Sequence, residues 1–106
     1  MFKKIATIVT VVAIILGSIP VMGGDSKIGE KKAKMCVACH GKMGLSKRDD
    51  VPSLAGQGEV YLVKAMNDFK NRIRSNAQMS MVAETLTEED IKHLAAYFSS
   101  FKVVIE

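Results

Sequence analysis

Cysteine is scarce in this chain. Its 106 residues hold two, and two residues separate them. A disulfide between Cys36 and Cys39 would close a tiny loop and staple nothing distant. Histidine is as scarce, with only His40 and His93. Four zinc ligands therefore cannot be assembled from cysteines and histidines in the usual grouping, because His93 falls inside the last predicted helix. No stretch alternates apolar and polar residues as a half-buried strand does, and there is no internal repeat or low-complexity segment. Charge of one sign is not in large excess, the formal balance being +4. Basic residues are not interleaved with aromatics, so nucleic acid is not an expected partner. No apolar run approaches the ~20 residues a spanning helix needs.

What is present begins with a leader. Met1-Phe2-Lys3-Lys4 is a short positive start. Ile5 to Leu16 is apolar except for two threonines, and Gly17-Ser18-Ile19-Pro20 interrupts it before the small residues Gly23 and Gly24. This is the order of a secretory signal, residues 1–23, with cleavage near Gly23/Gly24. An uncleaved anchor is the alternative, since Val-Met-Gly is a poorer cleavage site than Ala-x-Ala. Export implies a periplasmic location, and a membrane association only if the leader stays. The domain is then 24–106, with thirteen basic against eleven acidic residues. That mild positive balance permits docking on an acidic protein surface. So short a chain makes a thin core, and such chains commonly need a bound group to complete it.

Three helices are expected. The first runs from Ser26 to Cys39, capped by Asp25 or Ser26 and ended by Gly41. The second runs from Glu59 to Arg72, with Leu62, Met66, Phe69 and Ile73 forming one apolar stripe. The third opens at Leu86-Thr87, where Thr87 and Asp90 make a capping box, and buries Ile91, Leu94, Ala95 and Phe98. Residues 41–58 read as an irregular functional loop. Residues 73–86 read as a second loop, with room for a helical turn at Met81–Leu86.

Cys36-Val-Ala-Cys39-His40 carries the chemistry. A thioredoxin-like dithiol needs a preceding strand and a βαβ setting, which an all-helical chain does not provide. C-x-x-C-H is the signature of covalent haem attachment. Two cysteines three apart project from one side of a helical turn, and each thiol can add to one haem vinyl group. His40 follows at once and can bind the iron. The haem then supplies the missing core.

The sequence resembles the class I c-type cytochromes, in the small bacterial branch also seen in each half of periplasmic dihaem cytochromes. The resemblance rests on Gly29 ahead of CVACHG, on Pro52-Ser-Leu-Ala-Gly-Gln57-Gly-Glu, and on Tyr61-Leu62, Asp68-Phe69, Arg74 and Met79. The run from Leu86 through Ile91 to Phe98 completes it. It implies an all-α fold of three main helices around one haem c. It also implies that the Pro52 carbonyl accepts a hydrogen bond from the proximal histidine, that Gly29 and Tyr97 mark a helix crossing, and that Arg74 offsets a haem propionate. Gln57 and Tyr61 do similar polar work.

The second iron ligand is expected among the methionines, with His93 the other candidate to weigh. Met35 and Met43 sit beside the attachment site, and Met66 belongs to the second helix's apolar stripe. Met79 and Met81 remain. The resemblance implies Met79, which stands seven residues before Leu86, with Met81 the alternative. His93 reads as a solvated helix-face residue. With His40 and a methionine both on iron, the expected function is carriage of single electrons between redox proteins by a monomer, not catalysis. Lys42, Lys47 and Arg48 would form the docking rim. The alternatives are a haem subunit of a larger respiratory or dehydrogenase complex, and a haem enzyme or gas sensor with a labile ligand. A four-helix-bundle cytochrome with an open site is disfavoured, because 66 residues follow His40.

Overall fold

The computed structural model describes residues 4–12 and 23–106; the remainder of the expected leader, 1–3 and 13–22, lies outside them. Residues 4–12 are exposed and form no regular element. No helix among the described residues is long and apolar enough to cross a membrane. Five α-helices make the domain: α1 Ser26–Lys32, α2 Lys34–His40, α3 Glu59–Lys70, α4 Ala77–Glu84 and α5 Glu88–Ser99. A single 3-10 turn, Lys42–Gly44, follows α2. No strand occurs among the described residues.

The expected first helix is divided at Ala33. Asp25 caps α1, its carboxylate accepting from the Lys27 and Ile28 amides. At the junction the Cys36 amide donates to the Ala33 carbonyl at 2.8 Å, an i→i+3 bond of the tighter 3-10 kind. The joint is small, and it re-aims the turn that carries the cysteines.

α1 crosses α5 closely. A Cβ added to Gly29 would collide with the His93 carbonyl and stand 2.8 Å from Tyr97 Cβ, so only glycine fits at this crossing. His93 departs from its expected solvated state. It is half-buried, and its Nδ1 accepts from the Asp25 amide at 2.8 Å, tying the start of α1 to α5.

α5 forms as the sequence requires. Thr87 and Asp90 make the reciprocal capping box, and Ile91, Leu94, Ala95 and Phe98 are buried against Ala33, Leu62 and Leu86. A second element is tied to the same cap, because Lys32 Nζ reaches Asp90 Oδ1 at 2.7 Å. That bond, then the Thr87 amide, holds the Asp90 carboxyl at about 2, below its ordinary 3.8. The folded pKa is the lower one. The stabilisation is therefore fully present above about pH 4 and is lost as pH falls from there through 2. Asp90→Ala is expected to lower stability at pH 7 by about 1 kcal/mol, the usual cost of a lost cap, and by much less at pH 2. Equal losses in denaturant titrations at both pH values would contradict this.

α3 ends two residues earlier than its apolar stripe suggests. Arg72 has φ 58, a left-handed conformation that turns the chain out of the helix. Ile73 consequently leaves the buried face and is 73% exposed. Leu62 keeps its place in the core, and Met66 packs against it.

The largest correction concerns residues 73–86. The expected loop contains α4, an eight-residue helix of about two turns where a single turn was anticipated near the loop's end. Asn76 starts it, its side-chain oxygen accepting from the Met79 amide at 2.9 Å, and the run Ala77–Glu84 has helix-forming residues throughout. Ser80 and Ala83 are its buried residues.

Candidate functional site

α2 delivers three reactive side chains to one place. Cys36 is half-buried, Cys39 exposed and His40 only 8% exposed, and all three line the same cavity. The joint at Ala33 and the break at Gly41 bound this short helix. Gly41 has φ 83, and a Cβ there would strike the Leu45 carbonyl. The chain can thus reverse immediately after His40.

The following loop is pinned rather than loose. The Leu54 and Ala55 amides both donate to the Gly44 carbonyl, at 2.7 and 3.1 Å, and the Gly56 amide donates to Phe98 at 2.9 Å. The loop thereby presents Pro52, whose carbonyl lies 2.7 Å from His40 Nδ1. A carbonyl can only accept, so Nδ1 carries the proton and donates. This fixes the tautomer and leaves the Nε2 lone pair free for a metal.

The cavity is about 660 Å³, within the range of sites that hold a sizeable organic ligand. Much of its lining is apolar, with Leu54, Leu62, Met66, Phe69, Val82 and Leu86 among the contributors. Met79 lines it from the first turn of α4 and is half-buried. Met81 does not line it. Two residues further on, it is about 200° around the helix and is 64% exposed. Met66 and Met35 also border the cavity, from α3 and α2. Met43 does not; it lines a separate groove between α1 and α5.

Gln57, Tyr61 and Arg74 all reach the cavity. Arg74 does so in an arrangement the sequence did not announce: its guanidinium lies 4.4 Å above the Phe69 ring, a cation–π contact. Arg48 is not the free cation expected of a docking rim. It forms a two-pronged pair with Asp50, Nε to Oδ1 at 3.0 Å and Nη2 to Oδ2 at 2.8 Å. The pair raises the Arg48 pKa and lowers that of Asp50. Lys42 and Lys47 are exposed.

The surroundings of Cys36 are not those of a reactive dithiol cysteine. Burial pushes the unattached Cys36 thiol up to about 11, whereas reactive C-x-x-C cysteines have lowered values. A half-buried neutral thiol, an exposed one a turn away, a histidine with a free Nε2, and an apolar cavity with a thioether on its far helix fit a covalently attached haem. Cys36 and Cys39 would hold its periphery, and His40 its iron.

Comparisons with known proteins agree with that chemistry. Residues 25–98 match the family model described as cytochrome c oxidase, cbb3-type, subunit III. The chain is 43% identical over 82 residues to cytochrome c4 of Pseudomonas aeruginosa, covering 77% of this chain and 41% of that one. It is 41% identical over 80 residues to cytochrome c-554(548) of Halomonas halodenitrificans, covering 73% of this chain and 96% of that one. The solved structure of reduced cytochrome c4 from Pseudomonas stutzeri superimposes with a TM-score of 0.71 at 38% identity, over 76% of this chain and 47% of that one. The chain thus spans about two-fifths of the length of the cytochrome c4 relatives it matches.

Proposed function

Because the chain belongs to the class I cytochromes c, of small bacterial type, we propose that it is a monohaem electron carrier whose iron is bound by His40 and Met79. Haem c supplies an iron that cycles between Fe(II) and Fe(III). The protein's part is to hold it. Cys36 and Cys39 form the two thioethers and fix its orientation. His40 donates its Nδ1 proton to Pro52 and offers Nε2 to the metal. Met79 offers a soft, neutral sulfur, a ligand that raises the potential. Arg74 reaches the cavity with its charge and can balance a propionate.

The observation that carries the reading is that an imidazole and a thioether, from α2 and α4, line one cavity. With both side chains holding the iron, a substrate would have no place to bind it. Lys42 and Lys47 remain the basic part of the docking rim after Asp50 neutralises Arg48. The partners are redox proteins with acidic surfaces, and export through the 1–23 leader puts the exchange in the periplasm. Carriage as a haem subunit of a larger complex is the second reading, favoured by the name of the family model that matches.

Stopped-flow mixing tests the proposal. The reduced native protein is expected not to bind carbon monoxide on the time scale of mixing, whereas rapid binding would make it a haem enzyme or sensor. Exchange with an acidic partner is expected to slow as salt rises, since screening weakens steering. A salt-independent rate would remove Lys42 and Lys47 from the docking rim.

A further inference from the structure

α4 carries Met79 but buries only Ser80 and Ala83. Its outer side, Met81 included, is exposed. So thin an apolar anchor makes its other attachments matter. Two basic side chains from the end of α3 reach its C-terminal end. Arg72 pairs with Glu84 at 2.5 Å, with side chains 70% and 47% exposed; an ion pair so open to water contributes little. Lys70 differs. It is half-buried, and its Nζ donates to the Leu86 carbonyl at 2.5 Å across 16 positions of chain. Leu86 is itself buried, borders the cavity, and forms the corner between α4 and α5. Its amide donates back to the carbonyl of Ala83, one of the two buried residues of α4, at 3.1 Å.

We infer that Lys70 is a positioning residue: from the last turn of α3 it holds the α4–α5 corner, and through that corner it keeps Met79 at the cavity. The inference rests on Met79 being the iron ligand. Lysine suits the task, since its four-carbon stem can follow apolar surface while the ammonium reaches a carbonyl. A charged donor on a partly buried carbonyl belongs to the stronger class of hydrogen bond. Without it α4 departs more often. The fraction of molecules with Met79 away from the metal rises, and the apparent affinity of any competing ligand rises in proportion.

The test is imidazole titration of the ferric holoprotein, followed by loss of the sulfur-to-iron charge-transfer band. Lys70→Met keeps the stem and removes the donor. It is expected to bind imidazole about tenfold more tightly than the wild type, a change of ~1.4 kcal/mol. Lys70→Arg restores a donor and should recover most of the difference. Lys64→Met removes a charge about one and two-thirds turns away, from a side chain 70% exposed that pairs with Asp68 and not with the α4–α5 corner, and should leave the imidazole affinity unchanged. The inference is overturned if Lys70→Met stays within about a factor of two of the wild type, or if Lys64→Met shifts equally, which would mark a general charge effect. If Lys70→Met does not fold, Lys70→Gln, whose shorter stem also loses the carbonyl, is held to the same criterion. Met79→Ala in the same series separates the two readings. A retained band there removes the ligand assignment itself. A lost band with unchanged imidazole affinity in Lys70→Met removes only the positioning role.

Discussion

Replacing Met79 with alanine is expected to abolish the sulfur-to-iron charge-transfer band of the ferric protein and to lower its potential. The fall should be on the order of 100 mV, a modest part of the ~0.8 V that axial ligands command. The expectation separates Met79 from its neighbours on geometric grounds. Met81 points away from the cavity and is 64% exposed, so bringing it in would require turning α4 by nearly half a revolution. Met35 lies on α2 beside Cys36, and Met66 is packed into the core cluster from α3. Of the two methionines on α4, only Met79 lines the cavity, and its backbone amide is fixed by Asn76. Met81→Ala should leave both observables intact. If the band survives in Met79→Ala and disappears in Met81→Ala, the assignment is wrong, and α4 must be oriented differently in the holoprotein.

The second large effect is expected from Cys36→Ser with Cys39→Ser. The polypeptide that cannot attach haem should lack a cooperative thermal transition and lose most of its helical circular dichroism. The argument is one of magnitude. Leaving a cavity of 660 Å³ at ~24 cal/mol per Å³ costs about 16 kcal/mol, an upper bound for a cavity open on one side. Small domains hold only about 5–15 kcal/mol in total. The buried apolar cluster consists of seven residues, two of them alanines. No other cross-link can compensate, because the chain has no further cysteine. A doubly substituted protein with native helix content and a sharp transition would show that the core stands without the haem.

Much of this was legible in the sequence. The capping box at Thr87, the buried side of α5 and the attachment turn at Cys36–His40 follow from short-range patterns of fixed spacing, whereas the crossing at Gly29 was reached by resemblance. The cavity's contributors from several segments, among them Pro52, Met79 and Arg74, were reached by resemblance. α4 was missed although its signal was present: Asn76 is a strong N-cap, and no glycine or proline occurs from 77 to 84. Ile73 shows a different limit. Its spacing fits the α3 stripe, but nothing in spacing reveals that Arg72 adopts φ 58. The Arg48–Asp50 pair, the Arg74–Phe69 stack and the reach of Lys70 to Leu86 depend on how side chains meet in three dimensions.

The crossing of α1 and α5 has a consequence for the order of assembly. The Asp25–His93 bond joins residues 68 positions apart, so the domain is closed by its two ends. By the logarithmic loop law this closure costs about 4 kcal/mol of chain entropy, and it must follow the much faster formation of the separate helices. A chain that emerges N-terminus first therefore displays Cys36 and Cys39 before the helix that helps enclose them has appeared. Topology itself provides an interval in which Cys36, half-buried in the folded domain, is fully reachable, and that interval ends when residues 88–99 arrive.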